Sequence, residues 1–286
     1  MAKKIPKSVV EKEVEVLGPG GLPILPMEPA FEFTTSIQIW QGPPKCGKTS
    51  TAAALRKVAL EHGLKEVNPF FMLFEPGSGG VSVSATSEKC PCMGKDKTCP
   101  DCNGTGVRRL VLTTLDQIDE WFSWAAESKF NPIIIDTGDA MFQCVSDAVC
   151  IDLGISAPHQ TDHGVAWVDI FNMMREKLGI LTAKKGVILI MHIYMQERRA
   201  GKGMISTATF NVGGKTRPYL EGLANQILHF DVEPKEDGDG DHHIIVTQPK
   251  AGVWAGDHWG LFPAELERGN SPEEGALAIL KCFYDI

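Results

Sequence analysis

"IQIWQGPPKCGKTSTAAAL", Ile37 to Leu55, runs from β-prone apolar residues into a Gly/Pro-rich loop, then a Lys-Thr pair and an alanine-rich run with no breaker before Gly63. That order predicts a strand over 37–40, a sharp loop and a helix over 48–61. The loop fits G-x-x-x-x-G-K-[ST], with Gly42, Gly47, Lys48 and Thr49 at the fixed places. Such a loop suits a phosphate because backbone N–H groups and the dipole of the following helix face the same point. Pro43 and Pro44 have no N–H to give, so the donors are expected from the backbone of Lys45 to Thr49. The candidate nucleotide-binding run is Gly42, Pro43, Pro44, Lys45, Cys46, Gly47, Lys48, Thr49 and Ser50. Lys48 is expected to reach the β and γ phosphates of ATP, and Thr49 to hold Mg²⁺.

A triphosphate loop needs a metal-orienting carboxylate at the end of another strand. "NPIIIDTGDA" offers one, an apolar strand over 132–136 that ends in Asp136, with Asp139 as the competitor. Hydrolysis also needs a group that orients or deprotonates water. Thr137 and Gly138 follow Asp136, so no acid stands directly after it. Glu75 closes the run "FFMLFE" and could face the γ-phosphate across the strand ends, where ligands of open α/β sheets bind. A plain exposed strand-end glutamate has the same spacing. His192 closes "GVILIMH" at the same edge, either as a γ-phosphate sensor or as a histidine satisfied by a backbone partner.

The second concentration of chemistry is "KCPCMGKDKTCPDCNGTG". Cys90 and Cys92 stand as C-x-C, and Cys99 and Cys102 follow as C-x-x-C in a stretch rich in turn residues and poor in apolar ones. Four thiolates so placed match a closed tetrahedral Zn²⁺ site whose metal stabilises what a missing core cannot. Two disulfides or a redox pair are the alternatives. The half "CPDCNGTG" resembles part of the zinc ribbon of DnaJ-type chaperones, over eight residues and with no implication for activity. A closed site has no open coordination position, so its role would be structural or docking rather than catalytic.

Around these motifs the chain alternates strands and helices. The patterns predict strands over 70–75, 108–112 and 186–192 and helices over 115–127 and 164–178, hence an α/β fold with a mostly parallel sheet flanked by helices. Thr114 with Gln117 reads as a capping box, ahead of Leu115, Ile118, Phe122 and Ala125 on one face. Residues 1–30 read as an extended arm, 76–108 as a small Cys₄ insertion, and 193–215 as a mobile loop. Two later strands, about 227–232 and 243–248, and a C-terminal helix over 271–285 opened by "SPEE" complete a domain over 31–286.

The bulk numbers fit one large core. The chain has 286 residues, 43% of them hydrophobic, and a formal net charge of −8. The overall field repels nucleic acid, so any DNA contact must be local. The longest apolar run, Gly186 to Met195, is too short to span a bilayer, no secretory leader is visible, and a cytoplasmic, membrane-free location is expected. Four of the eight cysteines crowd between Cys90 and Cys102, unlike the even framework of a secreted domain.

With the phosphate loop, Glu75, Asp136 and His192 in this order, the chain resembles the RecA-like core, and more closely the phage-encoded RecA-like P-loop NTPases linked to recombination and single-strand annealing. "QGPPKCGKTS", "FFMLFEPG", "PIIIDTGDA", "VILIMH", "LANQILHF" and "KAGVWAGDHWGLFPAEL" carry the resemblance between about Phe31 and Glu265. It implies an ATPase of the β–γ phosphoanhydride in which Lys48 is catalytic, Glu75 activates water and His192 senses phosphate, with self-assembly that lets a neighbour's cation complete the site. Lys250 is the first choice for that cation and Arg217 the second. The family binds DNA through loops, and here Arg198, Arg199, Lys202 and Lys215 follow His192 with few aromatic residues for base stacking.

Three functions fit these residues: an ATPase acting on single-stranded DNA in phage replication or recombination, a nucleotide-binding adaptor that docks on replication or recombination proteins with little turnover, and a nucleotide kinase. A kinase lid of four cysteines normally lies late in the fold over the phosphates, whereas this cluster precedes Asp136.

Overall fold

The apolar runs that begin at Ile37, Phe70, Ile133 and Val187 become the parallel centre of one sheet. The computed structural model describes residues 16–17, 23–24, 31–75, 83–100, 102, 105–200, 203–234, 241–250 and 252–286. The chain divides into two units, Met1–Ala30 and Phe31–Ile286. In the first, β1 (Val16–Leu17) pairs antiparallel with β2 (Pro23–Ile24), a short pairing inside the stretch expected to be an irregular arm.

The second unit begins with β3 (Ile37–Gly42), the loop, α1 (Lys48–Glu61) and β4 (Phe70–Leu73). A small hairpin follows, β5 (Ser87–Lys89) with β6 (Val107–Arg109), then α2 (Leu115–Glu127), β7 (Ile133–Asp136), α3 (Gly138–Asp152) and α4 (Val165–Thr182). Next come β8 (Val187–Ala200), β9 (Gly203–Phe210), α5 (Thr216–Leu223), β10 (Gln226–Pro234) and β11 (Asp241–Val246). β12 (Gly256–Asp257), β13 (Glu265–Glu267) and α6 (Pro272–Phe283) end the chain.

Among the described residues the sheet has nine strands, in the order β13-β11-β10-β3-β8-β7-β4, with β12 on β10 and β9 on β8. Neighbours from β10 to β4 run parallel, and the remaining strands attach antiparallel. This is a mostly parallel α/β sheet covered by helices on both faces, consistent with a RecA-like phosphate-loop core.

Side-chain alternation assigns the two faces. Ile133 and Ile135 of β7 join Ile118, Phe122, Val145 and Ile170 under α2, α3 and α4. Ile134 between them joins Leu55, Val58, Ile279 and Leu280 under α1 and α6. Trp40, fully buried just before the loop, packs against Phe230 of β10 with ring centroids 5.3 Å apart, and its indole N–H donates to Gln38 Oε1 at 2.8 Å. That pair locks β3 to β10 and so holds the start of the loop; truncating such an aromatic typically costs about 3–5 kcal/mol.

Several elements differ from the expectation. The strand over 108–112 is not a strand of the main sheet: Val107–Arg109 closes the cysteine hairpin, and only the isolated bridge Leu73↔Val111 touches the edge strand β4. The physical reason is that a short antiparallel return satisfies its backbone locally before the chain reaches the sheet. The stretch after His192, expected as a mobile loop, is an antiparallel ribbon in register from Ile193↔Phe210 to Ala200↔Gly203. Its Gly, Lys, Arg, Ser and Thr content hides the strand, since pairing between two polar strands leaves no apolar period in the sequence; at its base Ala208 and Phe210 are buried. α3 went unread although Met141, Val145 and Val149 repeat at helical spacing and Thr137 caps it. α6 keeps the full capping box of Ser271 and Glu274. At α2 the box is half made: Thr114 accepts from Gln117 N–H at 3.3 Å, but the Gln117 side chain accepts from the Thr113 N–H at 2.9 Å.

Candidate active site

The loop after β3 takes its shape from glycine and one strained lysine. Gly47 has φ +99° and Lys45 φ +65°, both left-handed, and a Cβ on Gly42 would collide with the Phe230 carbonyl. Alternating handedness turns successive N–H groups toward one concavity. α2, α3 and α6 are capped by Thr114, Thr137 and Ser271 and carry acids in their first turns. α1 has Gly47 as its N-cap, no side-chain cap and no acid in its first turn. Its first N–H groups are therefore left for an anion. Lys48 is buried, and its ammonium donates to the carbonyls of Gly42 and Pro43, each at 2.8 Å, which centres the charge on the loop.

Three strand ends meet at this loop. Gly42 of β3 aligns with His192 of β8, Asp136 of β7 with Ile190 of β8, and Leu73 of β4, two residues before Glu75, with Asp136. The Thr49 hydroxyl donates to Asp136 Oδ1 at 3.2 Å. Asp136 is buried, and that burial pushes its carboxyl up to about 6, against the Thr49 hydrogen bond. The Thr137 hydroxyl donates to Glu75 Oε1 at 2.9 Å, and His192 Nδ1 lies 3.8 Å from the same oxygen. Asp139 takes the other side of His192, with Oδ2 3.2 Å from Nδ1 and Oδ1 accepting the His192 backbone N–H at 3.1 Å. An open cleft of about 470 Å³ borders Glu75 and Asp139, so water reaches the carboxylate.

A family model for the AAA domain matches residues 36–259, which contain the loop and all of these strand ends. The chain belongs to the AAA-domain family. No curated protein matches this AAA-domain chain closely enough to count as a relative. Among solved structures, the crystal structure of a KaiC-like protein from the hyperthermophilic archaeon Pyrococcus horikoshii OT3 is similar at 11% identity, covering 74% of this chain and 78% of that one, with a TM-score of 0.38.

An AAA-domain phosphate-loop NTPase fold implies ATP and Mg²⁺, and the donor set fits both. A hydroxyl and a carboxylate in contact, Thr49 and Asp136, are the hard oxygen pair that would hold Mg²⁺ alongside substrate phosphates. The uncapped α1 supplies the anion-binding end. Bound Mg²⁺ supplies neutralisation of charge that develops on the phosphates. Glu75 borders the open cleft on the β4 side, and His192 stands between it and Asp139 with one ring nitrogen in contact with both carboxylates. Hydrogen bonding to Asp139 raises the His192 pKa, against burial.

Asp139, the competitor for the metal, lies in the first turn of α3, three residues after the end of β7, and its carboxylate meets His192, with Glu75 close enough for the three to form a second possible metal-ligand group. Thr137 was passed over because it is not acidic, yet it positions the acid of the neighbouring strand. Lys250 is held in its own chain by Glu233 at 3.2 Å and Glu265 at 3.5 Å, and Arg217 Nη2 donates to the Tyr194 hydroxyl at 3.1 Å. Lys215 is exposed just before α5. The side chains of Arg198 and Arg199, and residue Lys202, lie outside the described residues, as does the start of the 76–108 insertion.

The four hairpin cysteines come together. Their sulfurs all lie within 4.8 Å of one another, Cys90 to Cys99 at 3.7 Å and Cys92 to Cys102 at 3.2 Å, with none disulfide-bonded. Zinc–sulfur bonds of about 2.3 Å at tetrahedral angles put sulfurs about 3.8 Å apart, so the cluster matches a Cys₄ ligand set. The hydrogen bond between Cys92 and Cys102 lowers the Cys102 thiol to about 6 and raises that of Cys92, so the first proton to leave the cluster is that of Cys102.

Among the described residues no helix is long and apolar enough to cross a membrane.

Proposed function

We propose that this chain is a RecA-like ATPase that hydrolyses ATP with Glu75 as the water-activating base and His192 as the γ-phosphate sensor, and uses the nucleotide state to govern binding of single-stranded DNA in phage replication or recombination. The observation that carries the reading is continuity within one strand. β8 holds His192 at the nucleotide edge and runs on without a break into the ribbon with β9, through positions 198 and 199. A shift of the histidine toward a phosphate would be transmitted along a hydrogen-bonded ribbon rather than lost in a loop. Tyr194 and Met195, the first outward residues of that ribbon, are exposed, and a tyrosine ring is a surface on which a base can stack.

In this reading the ribbon residues Arg198 and Arg199, with Lys202 and Lys215, contact DNA phosphates. Subunits share ATP sites, with Lys250 or Arg217 as the cation donated in trans. The cysteine hairpin binds Zn²⁺ and serves as a structural or docking element beside the edge strand β4, and the protein works in the host cytoplasm.

The test is the ATPase rate with and without single-stranded DNA for the wild type, Glu75→Ala and Lys48→Ala. Stimulation by DNA in the wild type, with turnover lost but ATP still bound in Glu75→Ala, is the expected result. Tight nucleotide binding with turnover indifferent to DNA and to Glu75 would favour the adaptor.

A further inference from the structure

Arg268 follows β13 and is 5% exposed. Its backbone N–H donates to the His243 carbonyl at 2.9 Å, which ties it to the neighbouring strand β11. Its side chain lies in a channel that two glycines leave open. A Cβ on Gly275 of α6 would come within 2.7 Å of Arg268 Cγ, and a Cβ on Gly47 within 2.5 Å of Nη1 and 3.0 Å of Cζ. The stem thus passes α6 and the guanidinium ends against the N-cap of α1.

At that end no carboxylate meets it. Among the described residues Arg268 makes no ion pair and no side-chain hydrogen bond, and its Nε is buried without a partner. Glu274, whose charge acts on it, is occupied by the N–H groups of Asn270 and Ser271. His243 beside it also has a buried ring nitrogen without a partner, and burial and the arginine both lower the histidine's pKa, so it adds no second positive charge near neutral pH. A buried guanidinium without a hydrogen-bonded counter-charge is costly, and an arriving anion removes that cost.

The sheet order says which part of a nucleotide that anion is. Asp136, Glu75 and His192 come from β7, the end of β4 and β8, all on one side of β3; Arg268 directly follows β13, on the other side beyond β10 and β11. With the γ-phosphate among the first group, the opposite end of the nucleotide runs toward Arg268. We propose that Arg268 is a nucleotide ligand supplied in cis, its guanidinium meeting the α-phosphate end that ATP and ADP share. This rests on the phosphate-loop reading above and deepens it.

Calorimetric titration of the full chain with ADP and with ATP, each with Mg²⁺ and with chelator, tests this in the wild type, Arg268→Met and Lys48→Ala. Loss of a charge-assisted contact predicts that Arg268→Met weakens ADP and ATP by the same factor, on the order of 10–100-fold, and equally with and without metal. Arg268→Lys, which keeps the charge and loses the fork, should fall between and serves if the Met variant folds poorly. ADP affinity equal to that of the wild type in either variant overturns the assignment, as does a loss confined to ATP. Absence of nucleotide binding by the wild type overturns the phosphate-loop reading and this ligand with it.

Discussion

Thr137 donates its hydroxyl to Glu75 at 2.9 Å, so the residue after Asp136 holds the carboxylate that arrives from the neighbouring strand. The same oxygen caps α3 by accepting the Ala140 N–H at 3.4 Å. Thr137→Val removes both bonds while keeping the shape. A net hydrogen-bond contribution of about 1 kcal/mol predicts a roughly fivefold fall in kcat. Loss of the cap predicts about 1 kcal/mol less stability. Thr137→Ser should recover most of both. Steady-state kinetics beside thermal unfolding checks this, and an unchanged kcat in the valine variant removes Glu75 from the chemistry.

Gly42 is irreplaceable for a steric reason. A methyl group there meets the Phe230 carbonyl, which is fixed in β10 by its pairing with β11. Gly42→Ala should lose about 1–3 kcal/mol of stability and nucleotide binding together, read by unfolding and by ADP titration. Gly63→Ala, with nothing within 4 Å of the added atom but φ +78°, should lose only stability and leave ADP binding as in the wild type.

The His192–Asp139 pair predicts a pH dependence of stability. The hydrogen bond to Asp139 raises the His192 pKa, so its contribution is complete below the ordinary imidazole value and is lost as pH rises through the raised one. Burial works to raise the Asp139 pKa, but the bonds from the His192 ring and backbone win and lower it. Its contribution is present above the ordinary carboxylate value and disappears as pH falls through the depressed one. The stability difference between wild type and Asp139→Asn should therefore be greatest between about pH 4 and 6.5 and shrink toward pH 9. Denaturant unfolding at pH 5, 7 and 9 measures it; a difference that does not change with pH counts against the ion pair.

Zinc in the hairpin predicts about one equivalent of metal in purified protein, lost in Cys99→Ser. Chelation should lower the melting temperature in proportion to occupancy. Because the hairpin meets the main sheet through β4, the effect should appear as local loosening around residues 83–112, read by hydrogen exchange, with ADP affinity preserved. Full-strength protection in metal-free protein would argue that the thiols hold the hairpin without an ion.

Much of this fold was legible because its signals are local. The strand, loop and helix from Ile37 to Glu61 matched, since Gly42, Gly47 and the alanine run each demand one backbone geometry. Ser271 and Glu274 likewise announced α6, and four cysteines at fixed spacing announced their cluster. The ribbon after His192 was misread because Gly, Lys, Arg, Ser and Thr are interspersed through its sequence and hide the pairing, although its base, Ala208 to Phe210, is buried and Phe210 joins the core. Asp139 and Thr137 were visible as residues, but their partners stand 53 and 62 positions away, and no spacing rule reaches that far.

The α/β class, the phosphate loop and the groups available to it follow from short stretches of chain, because a left-handed glycine, a helix start or a thiolate pair is settled within a few residues. Which of those groups meet depends on how the strands pair. Parallel strands carry their ends to one edge, so register across β4, β7, β8 and β3 gathers Glu75, Asp136 and His192, and the far edge of the same sheet delivers Arg268 to the other side of the loop.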